Sequence, residues 1–257
     1  MPSIEENAKK WNETYPWSDL GAEWSTVWGG VEAQWYGTLF PRLHQLVPAG
    51  TILEIAPGFG RWTSFLKEWC EKLVVVDLSE RCIEACRRRF KKYDHIEYYV
   101  NDGRSLSMVT DGSVDFAFSF DSLVHAEMDV VEWYIRELAR KLSENGRAFL
   151  HHSNMGAFVV EGPRGWVLRE DIENLHWRST SVSANAVRNS CADAGLCVIS
   201  QELINWGCQA LTDALTVIAR EGSTWERQTV VVENSGFMVE AFGVATWSPL
   251  YCSLGLK

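Results

Sequence analysis

The sequence predicts an α/β protein: a seven-stranded, mostly parallel sheet closed by a terminal antiparallel hairpin, with helices on both faces. Three observations carry this. From Thr51 onward, short apolar runs alternate with amphipathic helical stretches, the pattern of successive βαβ units. Five such runs follow one another before residue 153. The last two runs are joined only by Gly207 to Thr212, too short for a right-handed helical crossover, so they must pair antiparallel.

In chain order, the first strand is Thr51 to Ala56. The helix after it begins near Arg61 and carries Trp62, Phe65, Leu66 and Trp69 on one face. Leu73 to Asp77 is the second strand. Ser79 then caps a helix whose apolar side holds Ile83, Cys86 and Phe90 and whose last turns are basic, as the helix dipole favours. The third strand, H-I-E-Y-Y-V, ends at Asn101-Asp102-Gly103, and Val114 to Phe120 is the fourth. A helix through Val130 to Leu142 and a Glu144-Asn145-Gly146 turn lead to the fifth, R-A-F-L-H-H. A helix from Ala184 to Ala194 precedes the hairpin strands L-C-V-I-S-Q-E-L-I-N-W and D-A-L-T-V-I-A-R.

Composition sets the outer bounds. The 257 residues are 46% hydrophobic and 23% charged, values that suit one domain spanning 1–257 with a full core. Within it, 1–48 is a Trp-rich N-terminal extension that suggests a lid, 51–220 the α/β core, and 221–257 a C-terminal extension with a helix around Glu233 to Gly243. Acidic residues outnumber basic ones 34 to 24, a net charge of -10, which argues against nucleic acid or an anionic membrane as main partner. No apolar run is long enough to span a bilayer, and M-P-S-I-E-E-N-A-K-K-W has no secretory h-region, so a cytoplasmic enzyme is expected. Seven cysteines with no C-x-x-C pair suit neither a disulfide framework nor a structural zinc site. Nothing in the chain sets an oligomeric state.

The most informative segment is Glu54-Ile55-Ala56-Pro57-Gly58-Phe59-Gly60, between the first strand and its helix. Gly58 and Gly60 allow close approach of a ligand to the backbone, beside the free N–H groups of a helix start. Asp77 ends the second strand 23 residues after Glu54, where a carboxylate can accept both hydroxyls of a ribose. Asp102-Gly103 ends the third, where a carboxylate and an N–H can read an adenine edge. All three lie at C-terminal strand ends, the side on which open α/β sheets bind ligands. A lone strand-end Asp is ordinarily a turn cap; three in register are hard to explain by capping.

With these motifs the stretch from Ile52 to Arg220 resembles the class I S-adenosylmethionine-dependent methyltransferases, Rossmann-like in fold. The resemblance implies S-adenosyl-L-methionine as cofactor. It implies that Glu54, Ala56, Gly58 and Gly60 hold its methionine part and Asp77 with Leu78 its ribose. Asp102 and Gly103 would hold the adenine, and Ser119 would lie alongside. Ala56 departs from the family, replacing the first glycine of the usual loop. A nicotinamide enzyme is the alternative on fold grounds, but the third glycine of G-x-G-x-x-G would fall on Thr63.

Methyl transfer to a hydroxyl needs a base, typically contributing ~10²–10⁴-fold. His125, just after the fourth strand, and His151 and His152, at the end of the fifth, lie on the right rim. Alternation sends His151 and His152 to opposite faces, so at most one faces the cleft. His152 is the first choice as base, His125 the next, with Asp121 orienting; each is also explicable as a hydrogen-bonded structural residue. No tight metal-ligand spacing accompanies them, and no metal is expected. Trp11, Trp17, Trp24, Trp28 and Trp35 suit either packing or the apolar face of a sugar or a methylated ammonium. The runs W-G-G-V-E-A-Q-W, S-F-D-S-L-V-H and F-L-H-H-S-N look like bacterial glycan-modifying methyltransferases. That similarity implies a small-molecule or sugar acceptor methylated at oxygen, or a phosphate on a glycan end, for which Arg61, Arg164 and Arg169 are available. N-methylation of a small amine, and cofactor binding without catalysis, are the other readings.

Overall fold

The computed structural model describes residues 2–163 and 165–252. Its main sheet has eight strands in the order β10-β8-β9-β5-β4-β1-β2-β3. These are β1 (Ala49–Ile55), β2 (Cys70–Asp77), β3 (Ile96–Val100), β4 (Val114–Ser119), β5 (Leu142–Ser153), β8 (Leu196–Ile204), β9 (Asp213–Arg220) and β10 (Val230–Asn234). A separate hairpin, β6 (Val159–Gly162) with β7 (Gly165–Leu168), projects after β5. Only β9 runs against its neighbours in the main sheet. The α-helices of six residues or more are α1 (Ile4–Lys9), α2 (Glu80–Arg89), α3 (Met128–Lys141), α4 (Ala184–Asp193) and α5 (Phe237–Cys252).

Two expectations are corrected. The sheet has eight strands, not seven: the β-branched run Val230-Val231-Val232 extends along β8 and becomes a parallel edge strand before α5 starts. The helix after β1 is only the single turn Thr63–Leu66, because the chain re-enters the sheet at Cys70; Trp62 and Leu66 are nonetheless buried.

Strand alternation divides the core into two layers. Ile52, Val75, Phe116, Phe118 and Phe149 face one layer; Leu53, Val74, Val76, Ala117 and Leu150 face the other. Trp28, Trp35, Leu39 and Leu43 from the N-terminal region complete the first layer, and α3 and α4 cover the second. Arg42 fastens α5 to the sheet, pairing with Glu202 of β8 (2.7 Å) and Glu240 of α5 (2.9 Å). Where α5 crosses Gly37, an added Cβ would lie 2.8 Å from Val244, so only glycine allows that approach. Ser79 caps α2 as its position predicts, accepting from the N–H of Cys82.

Candidate active site

A cavity of about 980 Å³, counting the space open to solvent, lies over the C-terminal ends of β1, β2 and β4. Its floor is Ala56, Pro57, Gly58, Asp77, Leu78 and Gly103; Asp121, Ser122, Leu123, His125 and Ala126, with Val130 and Tyr134 of α3, form one side. Its roof is N-terminal chain: Ile4, Asn7, Trp11, Trp17 and Trp24 all line it.

The floor has the geometry its residue types suggest. Ala56, Gly58 and Gly60 have φ of 58°, 59° and 84°, so the loop turns back through left-handed backbone and brings its amides to the strand ends. The Asp77 carboxylate accepts from Ser79 N at 2.8 Å and from Gly58 N at 3.2 Å. Burial pushes its pKa up to about 7, against the pull of those N–H groups. Glu54 lies deeper, outside the cavity lining, and accepts from the Thr63 hydroxyl at 2.5 Å. Burial raises it to about 8.

Not every expected residue reaches the cavity. Gly60 packs against Phe90 and Cys86 instead. Asp102 is exposed and spends its carboxylate on the N–H groups of Arg104 and Ser105, which hold its pKa down, Ser105 foremost. Of the pair, Gly103 lines the cavity and Asp102 does not. Ser119 is buried, its hydroxyl without a partner among the described residues, and it too is outside the lining.

The histidines separate sharply. His152, the first choice as base, is 1% exposed and points to the α4 side, with Nδ1 on Ser153 O and Nε2 on Thr216 Oγ1, both at 2.8 Å. It does not line the cavity. His151 turns the other way, between Phe120 and Trp206, with Asp121 N and Asp213 as partners. His125 alone of the three lines the cavity. Its Nδ1 lies 3.0 Å from Trp177 O; a carbonyl only accepts, so Nδ1 carries the proton and Nε2 keeps its lone pair. Burial lowers the pKa of His125 to about 4.

A second cavity, about 650 Å³ on the same measure, shares Trp24, Asp121 and His125 with the first. Glu23, Trp28, His176, Arg178, Trp206 and Met238 also line it. Arg178 is paired with Asp213 at 2.5 and 2.7 Å. Burial opposes ionisation of Asp213, but the charge of Arg178 prevails and holds it down to about 2. Asp121 pairs with Arg61 at 2.8 Å. Arg169 pairs with Asp171 on an exposed loop, and Arg164 lies outside the described residues. Among the described residues no group of three or more His, Cys, Asp or Glu is arranged to hold a metal ion.

Asn7, Tyr134, Arg178, Trp206 and Asp213 escaped the sequence reading. None belongs to a recognisable motif, and only the fold brings them to the two cavities or, for Asp213, to Arg178 beside them.

The floor fits an adenosyl group that carries an amino-acid chain. A buried carboxylate with free lone pairs sits at the β2 end, left-handed backbone lies below, and an unsubstituted Gly103 stands at the β3 end. Residues 52–146 match the family described as methyltransferase domain. With that match and this sheet order, the segment is a class I methyltransferase domain, whose cofactor is S-adenosylmethionine.

Nodulation protein S of Bradyrhizobium diazoefficiens (strain USDA 110) is 30% identical over 127 residues, which are 47% of this chain and 57% of that protein. Nodulation protein S of Sinorhizobium fredii (strain NGR234) is 25% identical over 155 residues, 54% of this chain and 68% of that one. The match thus spans little more than half of the first relative. Among solved structures, the PH0226 protein of Pyrococcus horikoshii OT3 has a TM-score of 0.58 at 19% identity, covering 83% of this chain and 96% of that one. The N-methyltransferase NodS of Bradyrhizobium japonicum WM9 with S-adenosyl-L-homocysteine has a TM-score of 0.54 at 18% identity, covering 86% and 100%. At these identities the two structures share the fold.

Proposed function

We propose that this chain transfers the methyl group of S-adenosylmethionine to a hydroxyl of a small-molecule or sugar acceptor held in the second cavity. His125 is the base. The observation that carries this is the bond from His125 Nδ1 to Trp177 O, which leaves Nε2 unprotonated on a residue that lines both cavities. When bound, the cofactor supplies an electrophilic methyl group on a sulfonium.

The chain's own residues do the rest. Asp77 accepts the ribose hydroxyls, and the Gly58 and Gly103 backbone lies against the ligand. Trp24, Trp28 and Trp206 offer apolar faces for an acceptor ring. His125 Nε2 takes the acceptor's proton as its oxygen is alkylated, and the Asp121 charge favours the imidazolium that results. The N-terminal segment, 2–28, acts as a lid that excludes water. The net charge of -10 suits a small acceptor rather than nucleic acid. Cys70, Cys82, Cys86, Cys191, Cys197 and Cys208 are free, which suits a reducing, cytoplasmic setting. No helix of the described residues is long and apolar enough to cross a membrane.

A second reading, N-methylation, has its own support. Glu23 lines the second cavity, and among the described residues its carboxylate has only neutral partners, Tyr15 OH and Gly21 N, which favours a cationic amine. The name of the Bradyrhizobium structure, an N-methyltransferase, points the same way.

The test is single-turnover methyl transfer from labelled cofactor to panels of sugars and amines, with the product located by mass spectrometry. With a hydroxyl acceptor, His125→Gln should slow the chemical step ~10²–10⁴-fold. An unchanged step, or methylation confined to amines, rejects the hydroxyl mechanism. Asp77→Ala should weaken cofactor binding by ~1.5–3 kcal/mol; unaltered affinity in the folded variant rejects the ribose assignment.

A further inference from the structure

A buried hydrogen-bonded chain runs under the wall between the two cavities. Arg178 donates twice to Asp213, and His151 Nε2 lies 2.9 Å from Asp213 Oδ2. On the other side of the ring, His151 Nδ1 lies 3.0 Å from the main-chain N of Asp121. An amide N–H can only donate, so Nδ1 accepts, and the ring proton must sit on Nε2, facing Asp213. Both His151 and Asp213 are 0% exposed, and the ring is flanked by Phe120 and Trp206 at 4.6 and 5.1 Å between centroids. Its plane and its tautomer are therefore both set.

What it holds is unusual backbone. Asp121 has φ of 63°, a left-handed conformation that a residue with a Cβ adopts at a cost and keeps only when its surroundings enforce it. In that conformation the Asp121 carboxylate meets Arg61 across the cavity edge at 2.8 Å, and Arg61 reaches on to Ser25 Oγ at 3.3 Å.

We infer that His151 is a positioning residue: its Nδ1 holds the main chain of Asp121, and so sets the Asp121–Arg61 pair between the cofactor cavity and the acceptor cavity. It meets neither ligand and moves no proton in the reaction. The effect on ligand binding rests on the cofactor reading above; the hydrogen bond does not.

Two variants isolate Nδ1. His151→Asn and His151→Leu both lose the contact to Asp213, but the Asn oxygen stands the same number of bonds from Cα as Nδ1 and can still accept from Asp121. Amide hydrogen exchange at Asp121 should quicken by about tenfold or more in His151→Leu, the loss of one buried hydrogen bond, and stay near wild type in His151→Asn. The affinity for S-adenosylhomocysteine should fall by about tenfold in His151→Leu and be restored in His151→Asn. Equal behaviour of the two variants in exchange overturns the inference. Should His151→Leu fail to fold, long-range ¹H–¹⁵N spectra of the wild-type protein decide instead: the inference requires the Nε2–H tautomer, and a proton on Nδ1 refutes it. A wild-type protein with no affinity for S-adenosylhomocysteine would strike down the cofactor reading, while the exchange comparison still judges His151.

Discussion

Asn7 donates from Nδ2 to the main-chain oxygen of His125 at 2.9 Å, joining two residues 118 positions apart. The same amide accepts from Trp11 Nε1 at 3.1 Å, and the Trp11 ring lies 5.6 Å from the His125 imidazole. The roof of the cavity and the histidine in its wall are one hydrogen-bonded unit.

Replacing Asn7 with Leu should therefore loosen the roof without unfolding the sheet. The expected loss is ~1–3 kcal/mol, that of a buried amide's hydrogen bonds, confined to the N-terminal segment. Limited proteolysis should cut that segment sooner while the melting of the core stays within a few degrees. Wild-type resistance in the variant would show that ring packing alone holds the roof.

Asp77 and Glu54 set an alkaline limit on the protein free of ligand. Burial raises them from 3.8 and 4.5 to about 7 and about 8, so between those values the folded state binds protons that the unfolded state has released. Stability must then fall as pH rises through that window. His125 and His152, lowered from 6.5 to about 4, act oppositely: their contribution is present above 6.5 and is lost as pH falls toward 4. The two effects oppose each other below 6.5, and the acids act alone above it. The melting temperature should decline from pH 6.5 to 8, and less steeply in Asp77→Asn. A rise over that interval would contradict the burial argument.

His152→Leu tests whether that histidine is structural. Loss of the ring leaves Thr216 Oγ1 with only the Gln201 contact at 3.3 Å and should cost ~1–3 kcal/mol in chemical denaturation. Methyl transfer by the folded variant should stay close to wild type. A large fall in turnover at unchanged cofactor affinity would return His152 to the reaction.

Ala56→Gly should be tolerated. A Cβ at a φ of 58° costs ~1–2 kcal/mol, and glycine removes that while adding ~0.4–1 kcal/mol of unfolded-chain entropy. The variant should be as stable as wild type or slightly more so, with the same affinity for S-adenosylhomocysteine. Marked destabilisation would mean that the alanine methyl packs in a way the backbone angle does not reveal.

Much of this architecture was legible before any fold. The apolar runs of β1, β2 and β4 announce buried parallel strands; Ser79 announces the start of α2; and the short Gly207–Thr212 link requires β8 and β9 to oppose. That Gly58 and Asp77 would meet at one cavity floor was legible because parallel strands deliver their C-terminal ends to one edge. Other signals pointed the wrong way or were silent. Asp102 has the right residue type at the right strand end, yet two nearby amides capture its carboxylate. The valines of β10 resemble any apolar stretch until β8 stands beside them. Trp11, Trp17 and Trp24 line the first cavity whereas Trp35 is core, a division that the density of tryptophan does not encode.

The histidines mark the boundary most clearly. Alternation along β5 required His151 and His152 to face opposite ways, because successive Cβ atoms leave a strand on opposite sides. The sequence by itself thus determined the elements, their period, and the edge of the sheet where the cavity opens, all consequences of backbone geometry repeated every two or 3.6 residues. Only the tertiary structure decided which histidine meets the cavity, which meets Thr216, and that Asn7, Trp177 and Asp213 are the partners that fix them. Those contacts join segments far apart in the chain, and a hydrogen bond acts over about 3 Å however many residues intervene.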